Sequence, residues 1–161
     1  MSDQPRYLIT TADKSTWVFD QPVIFLGEWC NPHFIKKSWS DMDAITAAPF
    51  ISKYGSKNDD IDYLNRIEEQ LLSELGIMLN KVHNIQYPVR YWSILIRPWL
   101  NRCLKVLFNR FYTIENAFNN YNIASGALYE AEYCSITDHN YESFCWRCEN
   151  SNFWNQAIYS K

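Results

Sequence analysis

The chain has 161 residues, the length of one domain, and a chain of this size buries roughly 70% of its unfolded surface in a single core. The formal net charge of −3 and the pI near 5.6 give no general attraction to phosphate backbones or to anionic lipid, and they argue against a nucleic-acid-binding protein. Five unevenly spaced cysteines, no secretory signal and no run of ~20 apolar residues favour a cytoplasmic protein with reduced thiols and no transmembrane segment.

Aromatic residues are unusually frequent, with seven Trp, eleven Tyr and nine Phe. Each large ring buries much apolar area, so we expect a core held by aromatic packing. The surplus rings could line a groove or form a surface for a partner.

Three short apolar or β-branched segments come first: residues 7–11, 23–26 and 44–47. Asp, Ser and Pro residues separate them, a pattern that predicts buried strands joined by loops. We therefore predict an α/β fold in which a small parallel sheet near the N-terminus is followed by long packed helices.

The period then changes to that of a helix ending near His83 and Asn84, with Asn58 as its predicted cap. One arc of the helical wheel carries its apolar residues: Ile61, Leu64, Leu71, Leu72, Leu75, Met78, Leu79 and Val82. Residues 89–118 predict a second helix, apolar around most of its circumference, in which Pro98 requires either a kink or a break.

Residues 123–136 show no decisive period, and we interpret them as irregular or part strand. Thr137 and Asp138 are the predicted cap of a short helix, and a last helix opens at residues 151–152. No Gly, Asn or Pro stop signal follows that helix before Lys161, so we expect residues 1–161 to be one domain that is truncated at its C-terminal end.

Glu28 follows directly on the second strand and Gly27. Ligand-binding groups lie at the carboxyl ends of strands in open α/β sheets, so this carboxylate could act as a general base or bind a sugar hydroxyl. The alternative is a structural Glu that pairs with a nearby Lys or Arg, and the residues alone favour this alternative.

Other charged residues carry weaker signals. Glu68 lies on the apolar arc of the first helix, where an ion pair with an Arg of the second helix is favoured over catalysis. Arg90 and Arg97 could clamp a phosphate only if the helix ran unbroken through Pro98, so structural or surface roles are favoured for both.

Four residues could in principle bind zinc: Cys134, His139, Cys145 and Cys148. Cys145 and Cys148 also occupy apolar positions of a predicted helix, where small buried residues belong, and this second reading is favoured. The four widely spaced glycines exclude the common glycine-rich nucleotide-binding motifs, so a nucleotide, if bound, is held by other means. We predict no metal and no cofactor.

Five blocks of the chain resemble in order and spacing the N-terminal part of a family of transferases from bacterial surface-polysaccharide and O-antigen gene clusters: residues 6–17, 22–30, 79–83, 90–95 together with 98–100, and 153–159. The resemblance implies one lobe of a two-lobed, glycosyltransferase-like enzyme. Its partners would be a nucleotide-activated sugar and a glycan or lipid-linked acceptor, and its location would be cytoplasmic, with a peripheral position at the inner membrane left open.

The matching blocks mark six residues. Glu28 is the predicted catalytic residue, and the predicted substrate-binding residues are Trp29, His83, Arg90, Trp92 and Trp99. Arg97 and Gln156 depart from the family pattern, which weakens a phosphate-binding role for Arg97. A non-catalytic interaction or scaffold domain with an aromatic docking surface is the alternative hypothesis.

Overall fold

The computed structural model describes residues 4–129 and 136–159, which belong to two compact units. The sheet unit consists of Met1–Phe50 and Arg110–Lys161, and the hairpin unit of Ile51–Asn109. Helix α2 (Val89–Asn120) contributes residues to both units.

The sheet unit is built on four parallel strands: β1 (Arg6–Ile9), β2 (Val23–Phe25), β3 (Ala44–Thr46) and β4 (Ile123–Gly126). Their order is β3-β2-β1-β4. The predicted α/β class with a small parallel sheet is confirmed. β4, which lies in the segment without a decisive period, takes the position beside β1.

Aromatic packing fills the core of the sheet unit, as the composition predicts. Val23, Ile24 and Phe25 are completely buried, and the ring of Trp17 meets the ring of Phe25 edge-on at 5.3 Å. Burying a large apolar side chain contributes roughly 1.5–3 kcal/mol, so this short central strand stabilises the unit far beyond its length.

The hairpin unit contains α1 (Lys57–His83) and the first part of α2. Ser56, rather than the predicted Asn58, caps α1 by accepting a hydrogen bond from the Asp59 N–H. Every fourth residue forms the buried stripe of α1: Asp60, Leu64, Glu68, Leu72 and Gly76.

The apolar arc predicted for α1 is wrong at three positions, because Ile61, Met78 and Val82 are exposed. Two buried carboxylates take their place in the stripe, and each has partners. Asp60 accepts hydrogen bonds from the backbone N–H groups of Lys53 and Tyr54, whereas the partners of Glu68 come from α2.

Trp92 packs α2 against α1 near the turn between them. Its indole N–H donates to Asn80 Oδ1 at 2.9 Å, and the side-chain amide of Asn80 also pairs with the backbone of Tyr87. A Cβ on Gly76 would lie 3.2 Å from Trp92 Cδ1, so glycine lets the indole approach α1. Asn84 ends α1 in the left-handed conformation, with φ of 52°.

α2 continues without a break through Pro98, so a break at this residue is excluded. α3 (Tyr141–Asn150) and α4 (Asn152–Tyr159) follow in the sheet unit. Asn140 caps α3, rather than the predicted Thr137 or Asp138, through a reciprocal pair of hydrogen bonds with Ser143. In the part of the chain that the structure describes, no helix is both long enough and apolar enough to cross a bilayer.

Candidate active site

A tight turn follows β2 at its carboxyl end. The Cys30 N–H donates to the carbonyl of Gly27 at 3.0 Å, which projects Glu28 and Trp29 outward while Cys30 is completely buried. The two sequence-predicted residues of this stretch therefore lie together at the edge of the sheet where open α/β folds bind ligands.

Glu28 is exposed, and its carboxylate makes no hydrogen bond or ion pair with any residue within 4–129 and 136–159. A structural salt bridge, the favoured alternative from the residues alone, thus has no support among these residues. A solvent-facing carboxylate without a fixed cationic partner can accept a proton from a bound hydroxyl group.

The ring of Trp29 lies directly over Gly27. A Cβ placed on Gly27 would come within 2.0 Å of Trp29 Cζ3, so any side chain at position 27 must displace the ring. About half of Trp29 is exposed (47%). Gly27 therefore lets a half-exposed aromatic ring lie over the strand end, next to Glu28.

Arg110 contacts this turn through the ring of Trp29. Its guanidinium carbon lies 6.0 Å from the centroid of the Trp29 ring, within the range of a cation–π interaction. The Nε of Arg110 donates to Asn155 Oδ1 at 2.7 Å, and Nη2 donates to the carbonyl of Cys148. Arg110 thereby connects the turn after β2 to α3 and α4.

The strand order reverses between β1 and β4, and Gln156 of α4 occupies the carboxyl side of this position. Its Nε2 donates to the carbonyl of Ala127 at 2.6 Å and to Thr10 Oγ1 at 3.4 Å, and its Oε1 accepts from the Tyr129 N–H. Because Gln156 is buried, these contacts tie the ends of both strands to α4.

Asp13 is a second carboxylate near this edge, in the loop after β1. The Tyr129 hydroxyl donates to it at 2.7 Å, and the Ser15 N–H donates at 2.9 Å. Both hydrogen bonds favour the charged form and lower the pKa of Asp13. Burial, together with Asp13, raises the pKa of Tyr129 to about 12. Asp13 is therefore a weaker base than an unpartnered carboxylate and serves to hold the loop.

Two further ionisable groups lie inside the sheet unit. Burial raises the pKa of the Cys30 thiol to about 12, so this thiol stays protonated and is a poor nucleophile. The pKa of Tyr159 is also raised above its ordinary value, because the effect of burial exceeds the opposing effect of the nearby Arg110. The Tyr159 hydroxyl has no hydrogen-bond partner among the described residues.

A pocket of about 370 Å³ lies alongside β4. Its walls are mainly apolar and include Leu8, Ile114, Phe118, Leu128 and the Tyr159 ring. Thr10, which contacts Gln156 at the carboxyl end of β1, also lines the pocket. The volume is within the range of small-molecule sites.

The remaining predicted substrate-binding residues belong to the hairpin unit. Trp92 is buried (6% exposed), and the exposed His83 ring stacks on it with centroids 6.1 Å apart. Arg90 and Trp99 are exposed. The hydrogen bond from Trp92 to Asn80 gives this indole a structural role at the turn, whereas substrate binding by these four residues stays a prediction.

Arg97 forms ion pairs within the hairpin unit. It contacts both oxygens of Glu69, at 2.6 and 3.0 Å, and lies 3.3 Å from Glu68. The expected interhelical pair of Glu68 with an Arg of the second helix is thereby confirmed. The structural role favoured for Arg97 is also confirmed, but its reason is these ion pairs and not a break at Pro98, because α2 runs unbroken through that residue.

Within residues 4–129 and 136–159, no three His, Cys, Asp or Glu side chains lie close enough together to bind one metal ion. Cys134, one of the four candidate zinc ligands, lies outside the described residues. Cys148 is buried and donates its thiol hydrogen to the carbonyl of Cys145, which fits the apolar role favoured for it.

Sequence reasoning missed Asp13, Arg110 and Gln156 as members of this region. The rule that identified Glu28 could have identified Asp13, because Asp13 also follows a predicted strand. No local pattern marks Arg110 or Gln156, since each reaches the strand ends from a distant helix.

A family model described as "LIC12162 family transferase" matches residues 6–161, nearly the whole chain. No curated protein and no solved structure shows significant similarity to the chain.

Proposed function

The chain belongs to the LIC12162 family of transferases, and we propose that it forms the N-terminal domain, residues 1–161, of a longer glycosyltransferase-like enzyme. The donor is a nucleotide-activated sugar, and the acceptor is a glycan or a lipid-linked glycan. The resemblance to transferases of surface-polysaccharide and O-antigen gene clusters supports a role in assembling such polymers.

The observation that carries the proposal is the exposed Glu28 carboxylate, which has no partner among the described residues, beside the half-exposed Trp29 ring at the carboxyl end of β2. A sugar acceptor has apolar ring faces and polar hydroxyl edges, so it can stack on an indole while one hydroxyl reaches a neighbouring carboxylate. Adjacent positions in one tight turn supply both groups.

In the proposed reaction Glu28 acts as the general base on the acceptor. The acceptor hydroxyl gives its proton to the Glu28 carboxylate as the hydroxyl oxygen bonds to the anomeric carbon of the donor. The bond from that carbon to the phosphate oxygen breaks, and the nucleotide leaves with the electron pair. General-base catalysis of this kind contributes typically 10²–10⁴-fold.

Substitution of Glu28 by Gln in the full-length protein tests this role. We expect Glu28→Gln to lower the rate of glycan assembly about 100-fold or more, because the amide cannot take the proton. Asp20→Asn is the matched control, since Asp20 is an exposed carboxylate just before the opposite, amino end of β2.

Unchanged assembly by a stably folded Glu28→Gln protein would remove Glu28 from the chemistry. The scaffold alternative would then gain support if an aromatic substitution, rather than a carboxylate substitution, abolished glycan assembly. Equal losses in Glu28→Gln and Asp20→Asn would also contradict the proposal, because they would indicate a general effect of charge.

A further inference from the structure

A concentration of exposed apolar side chains surrounds the turn of the hairpin unit. The hairpin tip, as we define it, comprises residues 77–95: the last turns of α1, the connecting turn and the first turns of α2. Its exposed apolar residues include Ile77, Met78, Val82, Tyr91, Ile94 and Leu95. Ile94 is 71% exposed and Val82 is 68% exposed, values far from those of a core residue.

The two helices run antiparallel, so these residues gather at one end of the hairpin. Trp92 contacts Asn80 near the turn, and Arg97 contacts Glu69 farther from it. Met78 and Val82 are one helical turn apart on α1, as are Tyr91 and Leu95 on α2, and Ile94 lies between the latter two in sequence. Exposed apolar residues thus cover more than one side of the tip.

Although the whole chain has a net charge of −3, the charged residues between positions 75 and 114 are all basic. No Asp or Glu occurs between Glu74 and Glu115, whereas six basic residues do: Lys81, Arg90, Arg97, Arg102, Lys105 and Arg110. Two of them, Lys81 and Arg90, belong to the tip. Both are exposed, and neither makes an ion pair within the described part of the chain.

We propose that the hairpin tip binds the surface of an anionic lipid membrane. Exposed aliphatic side chains enter the boundary between headgroups and acyl chains, while Lys81 and Arg90 contact anionic headgroups. Tyr87 and Tyr91, whose rings lie 4.3 Å apart, combine an apolar ring with a polar hydroxyl, as residues at the membrane interface commonly do.

A membrane fits these observations better than a protein partner. A second copy of the tip would present the same positive charges and would be repelled. Apolar side chains on several sides of a narrow helical end suit a fluid surface that closes around them, whereas a protein interface covers one face. Tight contacts of Asn80 with Trp92 and Tyr87 hold the turn in shape, so binding requires no folding step.

The inference does not rest on the sugar-transfer reaction, because membrane binding is measured without turnover. The two proposals can therefore fail separately. If both hold, the tip brings the enzyme to the surface where a lipid-linked acceptor resides.

Sedimentation of the full-length protein with lipid vesicles tests the proposal. One set of vesicles contains phosphatidylcholine alone, and the other also contains about 30% phosphatidylglycerol, which gives roughly the −30 mV surface potential of an anionic leaflet. We expect binding to the anionic vesicles that weakens as salt is added. The double variant Lys81→Gln/Arg90→Gln should bind about thirtyfold more weakly, from about 1 kcal/mol for each cation.

Val82→Asn and Ile94→Asn test the apolar contribution, and each should weaken binding about tenfold. Ile51→Asn and Lys57→Gln are matched controls, because both residues are exposed in the hairpin unit outside the tip. All of these residues are exposed, so the variants should fold as the parent does, which circular dichroism checks.

Three results would overturn the proposal: no binding of the parent chain to anionic vesicles, equal binding to neutral vesicles, or equal binding by tip and control variants. If vesicle binding is absent and Ile94→Asn instead abolishes a dimer in sedimentation velocity, the tip is a contact between protein copies and the membrane proposal is wrong.

Discussion

Gly27 determines the position of the Trp29 ring, because a Cβ on this residue would lie 2.0 Å from the ring. We expect Gly27→Ala to move the indole off the strand end without unfolding the chain, since Trp29 is half exposed and can turn into solvent. In the full-length enzyme the KM for the acceptor should rise up to about tenfold, the equivalent of one aromatic stacking contact.

A double-mutant cycle with Trp29→Ala provides the control. If Gly27 acts by positioning Trp29, Gly27→Ala has no further effect on KM once the indole is gone. Additive effects of the two substitutions would show that Gly27 acts through another route.

Tyr129 stabilises the charged form of Asp13. Removing the Tyr129 hydroxyl should therefore lower the free energy of unfolding by an amount that depends on pH. The pKa of Asp13 in the folded chain lies below its ordinary value. The stability that the charged Asp13 contributes is therefore fully present above about pH 4 and is lost as the pH falls through the folded pKa. Tyr129→Phe should therefore lower the free energy of unfolding by about 1–2 kcal/mol at pH 7 and by less at pH 3.

Urea unfolding at both pH values measures this difference. Tyr121→Phe is the control, because the Tyr121 hydroxyl accepts a hydrogen bond from the Ala48 N–H and no carboxylate takes part. A cost of Tyr129→Phe that is equal at pH 7 and pH 3 would contradict the link to Asp13.

The limits of sequence reasoning at this scale follow from distance along the chain. Glu28 and Trp29 are predictable because a strand end precedes them immediately. Arg110 and Gln156 reach the same edge from α2 and α4, and the chain separates Gln156 from Thr10 by 146 residues. Such contacts depend on the tertiary fold, which no local pattern records.

Among the elements, the pairing of α1 with α2 depends on a partly buried ion pair. Glu68 is buried (side chain 6% exposed), whereas the Arg97 side chain is 39% exposed. Arg97→Met leaves the Glu68 carboxylate with Asn101 as its remaining partner and should lower the free energy of unfolding. Because the Arg97 side chain is partly exposed to solvent, we expect this loss in the free energy of unfolding to be about 1–2 kcal/mol, less than for a fully buried pair.

The double substitution Glu68→Leu/Arg97→Met should restore most of this stability, because apolar side chains of similar size commonly replace such a pair without loss. Thermal unfolding of the two variants measures the difference. If the double variant is less stable than Arg97→Met alone, Glu68 contributes through contacts other than the ion pair.

Strands and helices differ in how far sequence predicts them. β1, β2, β3 and both long helices follow from local apolar patterns, with errors of a few residues at their ends. β4 has the sequence Ile-Ala-Ser-Gly and no alternating pattern, so only its pairing with β1 makes it a strand. Similarly, the buried stripe of α1 includes Asp60 and Glu68, whose partners in other segments make their burial possible.

At the scale of the whole molecule, the six predicted site residues fall in different units. Glu28 and Trp29 belong to the sheet unit, whereas His83, Arg90, Trp92 and Trp99 belong to the hairpin unit. The proposed membrane binding by the hairpin tip would give this second unit a role of its own. The proposed sugar-transfer reaction builds on the family to which the chain belongs and on its parallel sheet.

The most direct measurement is a crystal structure of the full-length protein with a nucleotide-sugar and an acceptor glycan bound. We predict that the acceptor stacks on Trp29 at the carboxyl end of β2, with one hydroxyl oxygen about 2.6–3.2 Å from the Glu28 carboxylate. An acceptor bound away from the carboxyl ends of β1 and β2 would contradict the proposed active site.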